Sequence, residues 1–546
     1  VRELALESFG WPSLRGGQEP AVSTLLAGRD VLAVMPTGHG KSAIYLLAGT
    51  LLGGVTVVVS PLIALQNDQV RSVESMAEAH PGGRLRTAVA VNSSQGDAEN
   101  DASWASLESG DAGFVLLAPE QLGKDDVVDR LAQLEVRLVT VDEAHCVSSW
   151  GHDFRPDYLA LGSAIDRLAT TGARPAVLAL TATGAAPVRE EILERLGMAD
   201  ALVIATGFDR PEIRLDVERH SDGPGKKRAV IESVLELPPP GLVYAATRRA
   251  TVDYADALAS RGVRAAAYHA GLPAGRRTQI HEAFIDGTVD VVVATSAFGM
   301  GIDKPDVRFV VHADITESLD SYYQEIGRAG RDRHPATAML HYRSEDLGLR
   351  NFFESSAPSA DDLERVYSAI AEAGSVGRAE ISATLGLAPR TAHALVNLLT
   401  DAGVVRLRRR RLEAVGRRAA ADAASAALEE AESRERIDRS RIAMMRGYAE
   451  TDGCRRQYLL GYFGERLDEL CGNCDTCASG SAAEHRAGGS ANHEDFALES
   501  RVEHDAWGQG TVMRLESDRI TVFFDSEGYK VLSLRDVAER GLLTAT

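Results

Sequence analysis

The 546-residue sequence predicts an α/β fold: two tandem parallel-sheet domains, a winged-helix-like domain, a helical module with clustered cysteines and a small C-terminal β module. Three observations carry that expectation. Short β-branched runs alternate with amphipathic segments through residues 1–205, and the alternation restarts through residues 206–350. Four of the five cysteines fall between positions 454 and 477. Residues 496–546 alternate in period two between turn residues, as antiparallel strands do.

Each element can be read in order. In the first domain "DVLAVM", "VTVVVS", "FVLLAP", "VRLVTVD" and "AVLALTAT" are apolar runs of strand length separated by helical patterns. Strands buried on both faces and joined by helices imply a parallel sheet. After "TGFDRPEIRLDV" the second domain repeats the scheme with "GLVYAAT", "RAAAYHA", "VDVVVATS", "VRFVVHAD" and "ATAMLHY". Residues 358–415 differ. A helix is followed by a helix-turn-helix, with Arg390 and Thr391 opening the second helix, and "VVRLRRRRLEAV" alternates like a two-stranded wing. A helical connector with a solvated basic edge is the alternative. A polar helical stretch leads to the cysteine module, residues 433–478. Residues 479–495, rich in small and polar residues, read as a flexible linker before the β module.

Composition bounds the function. An apolar fraction of 45% with 25% charged residues suits a globular chain with large cores. The longest apolar runs, such as "VTVVVSPLIAL", are too short to span a bilayer. Val1-Arg2-Glu3 leads into an amphipathic segment rather than a secretory leader, so a cytoplasmic setting is expected. The net charge of −20 disfavours a uniformly basic nucleic-acid binder but leaves room for local basic patches. In a reduced compartment, clustered cysteines bind metal more often than they pair.

"VLAVMPTGHGKSAIYLLAG" is a strand, a glycine-bearing loop and a helix. Backbone N–H groups of such a loop face phosphate oxygens, with Lys41 reaching the terminal phosphates and Ser42 ligating Mg2+. Thr37, Gly38 and Gly40 complete the loop, although Met35 stands where the strict pattern wants glycine. A glycine-rich turn with a surface lysine is the bland alternative. "RLVTVDEAH" ends an apolar strand in Asp142-Glu143, one acid to hold Mg2+ and one to orient or deprotonate water. In the second domain "SYYQEIGRAGRDR" offers Gln324, Arg328 and Arg331 at helical spacing, with the two arginines about one turn apart on one face. An arginine delivered from another domain offsets charge on the γ-phosphate, whereas a solvated, ion-paired face would be unremarkable.

Together these stretches resemble the RecQ family of superfamily-two DNA helicases, over residues 5–350 and again over 435–478. The resemblance implies tandem RecA-like domains, ATP and Mg2+ dependence, and 3′-to-5′ movement on single-stranded DNA with unwinding of tailed duplexes. It also implies roles in DNA repair and recombination, near the nucleoid. "FGWPSLRGGQEPAV" resembles the adenine-recognition motif, with Trp11 stacking on the base and Arg15 and Gln18 hydrogen-bonding it. "SPLIALQNDQV" and "APEQL" match strand-gripping motifs, and "LALTAT", with Thr181 and Thr183, matches the motif coupling the ATP and DNA sites. "YHAGL" fits the second domain as well. "VVVATSAFGMGIDKPDVRFVVH" places Thr295, Gly299, Gly301 and Asp303 where the family contacts DNA and ATP, and Arg331 becomes the arginine finger beside Arg328.

"WGHDFRPDY" resembles the family's aromatic-rich loop, in which Trp150, His152, Phe154 and Arg155 sense single-stranded DNA. Stacking of bases on aromatic faces is worth about 1–3 kcal/mol per base. Cys454-x16-Cys471-x2-Cys474-x2-Cys477 matches the family's zinc-binding module, a closed four-thiolate site for structural Zn2+. The chain departs from the usual bacterial order, because its winged-helix-like segment precedes the zinc cysteines and no helical C-terminal domain follows. The basic run holding Arg408, Arg409 and Arg410 is expected to grip duplex phosphates. The C-terminal β module resembles Tudor-like modules of other helicases and is a candidate protein-docking unit. A monomer is expected. The alternative function is a DNA-stimulated translocase or docking factor with little unwinding.

Overall fold

The computed structural model describes residues 1–61, 63–148, 155–171, 174–298, 304–348, 358–408, 411–487, 496–516 and 518–545. Its first domain is a seven-stranded parallel sheet. Across the sheet run Thr87–Val91, Ala112–Leu117, Val55–Val59, Val136–Val141, Ala176–Thr181, Val31–Val34 and Leu202–Ala205. The central strands are apolar at nearly every position because helices cover both faces; Val31–Val34 and Ala176–Thr181 are buried throughout. The second domain has six parallel strands in the order Ala265–Tyr268, Val291–Ala294, Gly241–Tyr244, Phe309–His312, Ala336–Tyr342 and Ile213–Arg219. In such sheets ligands bind beyond the carboxyl ends of the strands, and there the phosphate loop, the acid pair and the Thr181 turn all lie.

Residues 358–408 and 411–414 fold as three helices, Ala360–Ala373, Arg378–Leu385 and Pro389–Asp401, against a three-stranded antiparallel sheet. Two of its strands, Val405–Arg408 and Arg411–Ala414, form the expected wing. The third, Val376–Gly377, is only two residues long, too short to leave a periodic signal.

A single helix, Ala420–Glu450, links this domain to the next, so no break occurs at residue 433. Thirty-one residues span about 46 Å at 1.5 Å per residue. At one end its small Ala423, Ala424 and Ala427 complete the winged-helix core. At the other, Met444, Met445 and Tyr448 join the core of the cysteine module.

The stretch expected to be a flexible linker is in part a helix, Ser481–Ala487, with Ala482 buried. Alanines favour helix, and one buried methyl anchors this one on the cysteine module. The C-terminal module is a five-stranded antiparallel sheet with the helix Leu534–Arg540. It docks closely on the long helix: Gly528, with φ +69°, lies where a Cβ would overlap Oγ of Ser440. Tyr529 N–H donates to that same oxygen at 2.9 Å. Among the described residues no helix is long and apolar enough to cross a membrane.

Candidate active site and metal centre

Lys41 ends the phosphate loop at the start of helix Ser42–Leu52, and its Nζ donates to the Met35 carbonyl at 3.2 Å. Burial lowers its pKa, opposed by the negative field of Glu143 and Asp142. Gly38 and Gly40 adopt positive φ of 77° and 81°. Both positions are also crowded: a Cβ at Gly40 would meet the Gln18 amide at 2.7 Å, and one at Gly38 would meet Cγ of Arg331 at 3.2 Å. The loop of one domain therefore touches the arginine of the other.

Asp142 and Glu143 follow strand Val136–Val141. Burial pushes the Asp142 carboxyl up to about 6, with the neighbouring Glu143 charge adding to it. Glu143 sits in the left-handed region at φ 48°, a strained conformation for a residue with a side chain. His145 Nδ1 lies 3.4 Å from its carboxylate and 3.1 Å from Thr181 Oγ1. Thr181 in turn donates to the Thr183 carbonyl at 2.6 Å. Hydrogen bonds thus connect His145, beside the second acid, to the turn after strand Ala176–Thr181.

The second domain meets this surface differently from the expectation. Helix Leu319–Ile326 ends at Gly327, and Arg328 and Arg331 project from the turns that follow rather than from one helical face. Gly327 and the left-handed Gly330 break the helix there. The helix end comes so near the phosphate loop that a Cβ at Gly327 would lie 2.5 Å from Thr37 Oγ1. Arg210 holds the turn in place, donating to the Gly327 and Ala329 carbonyls at 3.1 and 2.8 Å.

Between the domains lies a cavity of about 360 Å³, bounded by Arg15, Thr37, Gly38, His39, Thr206, Arg210 and Arg331. Thr37 Oγ1, Gln324 Nε2 and Arg328 Nε are buried without hydrogen-bond partners. Thr37 lines the cavity, where its orphaned hydroxyl fits a polyphosphate oxygen as acceptor.

Trp11 stacks on Phe9 with ring centroids 4.5 Å apart. Gln18 donates to the Gly40 and His39 carbonyls at 2.9 and 3.3 Å, and Arg15 donates to the Gly38 carbonyl. Here the expected base-recognition residues clamp the phosphate loop itself. Arg210 and Gln69, which hydrogen-bonds the Asp142 carboxylate, were not among the expected site residues. The only signal for Arg210 was its place before Pro211 at the domain joint.

Of the expected DNA and nucleotide contacts, Trp150, His152, Phe154, Gly299, Gly301, Asp303, Arg409 and Arg410 lie outside the described residues, as does the side chain of Arg408. The base of the aromatic loop is described. Arg155 N–H donates to the Cys146 carbonyl at 3.0 Å, and its guanidinium donates to the Pro61 carbonyl at 3.2 Å. Tyr158 is fully buried, with its hydroxyl donating to the Asp142 carbonyl at 3.2 Å. Thr295 is half-buried just past strand Val291–Ala294. Arg390 and Thr391 are exposed on the first turn of helix Pro389–Asp401. At the edges of the basic run, Arg406 pairs with Glu413 at 2.9 Å and Arg411 with Glu380 at 3.5 Å.

Cys454, Cys471, Cys474 and Cys477 converge, their sulfurs all within 4.8 Å of one another. Cys471 and Cys477 Sγ are 3.8 Å apart. Tetrahedral Zn–S bonds of about 2.3 Å place sulfurs about that far apart. Cys454 and Cys474 each precede a short helix, and a bidentate Arg455–Asp475 pair at 2.9 and 3.0 Å ties those helices together.

Residues 15–191 match the DEAD/DEAH box helicase family, 226–333 the helicase conserved C-terminal domain and 408–478 the RecQ zinc-binding family. The chain is 33% identical over 484 residues to the probable ATP-dependent DNA helicase RecS of Bacillus subtilis, covering 88% of this chain and 91% of RecS. It is 34% identical over 471 residues to the ATP-dependent DNA helicase RecQ of Pasteurella multocida, covering 86% of this chain but 61% of that longer protein. The fold is shared with the helicase Lhr of Mycobacterium smegmatis, solved with single-stranded DNA and AMP-PNP, at a TM-score of 0.53 and 22% identity over 79% of this chain and 61% of Lhr. Two parallel-sheet domains meeting at a phosphate loop, a four-cysteine zinc module and this extent of identity have one reading: the chain belongs to the RecQ family of ATP-dependent DNA helicases.

Proposed function

We propose that the chain hydrolyses ATP with Mg2+ to move as a monomer 3′ to 5′ along single-stranded DNA and to unwind tailed duplexes. The observation that carries this is the contact of Gly38 with Arg331, which makes the nucleotide cleft a composite of both domains. Lys41 and the loop amides bind the phosphates, and Arg331 and Arg328 offset charge that develops on the γ-phosphate. Asp142 and Ser42 would hold Mg2+, which would supply positive charge to neutralise the phosphates. Glu143 orients water and takes its proton, with His145 Nδ1 3.4 Å from its carboxylate. Closing and opening the cleft moves the two domains relative to each other along the strand.

The short path from aromatic loop to acids supports stimulation by DNA. A base stacked on residues 150–154 displaces Arg155, and the Arg155–Cys146 and Tyr158–Asp142 bonds carry that shift to Asp142 and Glu143. ATP-driven separation of duplexes with a 3′ or a 5′ tail tests the proposal. Separation of the 3′-tailed substrate alone is expected; separation of the 5′-tailed substrate alone would refute the polarity.

A second reading, a translocase with little unwinding, is favoured by the wing. Its flanking arginines are engaged by Glu413 and Glu380 rather than left for duplex phosphates. For a protein partner, the C-terminal module offers the half-exposed Val531, on the strand Gly528–Ser533 whose first two residues pack on the long helix.

A further inference from the structure

We propose that Glu218, His220 and His341 form a second, labile divalent-metal site in the second domain, of a two-histidine, one-carboxylate kind suited to Zn2+ or Co2+. The site stands on neighbouring strands. Ile213–Arg219 and Ala336–Tyr342 pair in parallel with Glu218 opposite His341, and His220 N–H continues the pairing to the Tyr342 carbonyl at 2.8 Å. Backbone register therefore holds all three residues together.

Nε2 of His220 lies 2.9 Å from Nδ1 of His341. The Glu218 carboxylate oxygens lie 3.9 Å from the first nitrogen and 3.5 Å from the second. Without an ion the two nitrogens share one proton. Two imidazole nitrogens on one tetrahedral ion sit about 3.3 Å apart, at metal–nitrogen bonds of about 2.0–2.1 Å. Replacing the shared proton with a cation thus asks for a separation of a few tenths of an ångström. The Glu218 side chain, half exposed, can close onto the ion and leave a further position to solvent.

The surroundings favour neutral ligands. His341 is fully buried, which favours the neutral imidazole with its lone pair. The nearby Lys226 ammonium is held by Asp314 at 2.7 Å and by Asp346, which offset its charge. The competing arrangement is a hydrogen-bonded histidine pair that binds no metal.

A Co2+ titration of the full, tag-free chain separates the two. Co2+ in the four-cysteine module gives intense thiolate charge-transfer bands, whereas a histidine and carboxylate site gives visible d–d absorption without them. The proposal expects a second Co2+ equivalent of the latter kind, lost in Glu218→Gln and in His220→Ala while the thiolate signal stays. Glu218 is largely solvent-facing, so the Glu218→Gln chain should fold normally. One equivalent in the wild type, or an undiminished second equivalent in both variants, would overturn it.

Discussion

The nucleotide cleft and the layer built from the long helix, the zinc module and the C-terminal sheet differ in how their buried polar groups are held. At the cleft, Thr37 Oγ1 and Glu143 Oε2 are buried with no hydrogen-bond partner, and Glu143 is held in a strained backbone conformation. In the accessory layer the large polar side chains are tied by ion pairs and hydrogen bonds, with Arg456 Nε and Asp525 Oδ1 left unpaired. Arg455 bonds Asp475 and the Tyr448 carbonyl, Tyr462 bonds Asp320, and Arg456 bonds Asp209 and the Ile213 carbonyl. Rings interlock there too, with the Arg514 guanidinium 3.9 Å above the Tyr458 ring. A buried donor left unpaired costs about 1–3 kcal/mol, so the cleft stores a debt that a ligand settles. The accessory layer, tied by ion pairs and stacked rings, reads as permanent structure.

If that contrast is right, breaking each region has different consequences. The largest effect is expected in the zinc module. Cys477→Ser should release the metal, whose binding supplies on the order of 10 kcal/mol in small zinc modules, and unfold the layer around it. Zinc content and thermal unfolding measure this, and an unchanged melting curve would show the module is held by packing alone. Next, Glu143→Gln should lower the ATP turnover number by about 10²–10⁴-fold while leaving the melting temperature nearly unchanged. A loss of stability matching the loss of activity would erase the distinction between the regions.

Smaller effects sharpen the comparison. Gly528→Ala should destabilise the C-terminal sheet by about 1–3 kcal/mol, because φ is positive and the new methyl meets Ser440. Denaturant unfolding would show it, and ATP turnover should not change. Tyr158→Phe removes one buried hydrogen bond, worth about 0.5–1.5 kcal/mol. It should reduce stimulation of hydrolysis by single-stranded DNA more than it reduces the basal rate. Equal losses in both would disconnect Tyr158 from the DNA signal.

The parts legible in the sequence are those where local chemistry decides structure. Doubly buried strands spell themselves as apolar runs, and the phosphate loop, the acid pair and the cysteine spacing each bring their chemistry within a few residues. Features set by distant contacts were hidden. Val376–Gly377 is a strand only because Arg411–Ala414 pairs with it. Helix Ser481–Ala487 is held by one buried alanine inside a run that reads as linker. Arg328 and Arg331 show helical spacing, yet Gly327 and Gly330 turn them out of the helix, and Arg331 lines the cleft. Gln18 has the pattern of a base-recognition residue, while its clamp on the Gly40 carbonyl is visible only in three dimensions.

The central claim is that the ATP site is shared between the two α/β domains, and Arg331→Ala tests it most directly. Steady-state hydrolysis with saturating single-stranded DNA should fall by about 10³-fold or more, while affinity for a fluorescent nucleotide stays within a few-fold. Wild-type turnover in that variant would contradict the account, leaving the first domain to hydrolyse ATP alone.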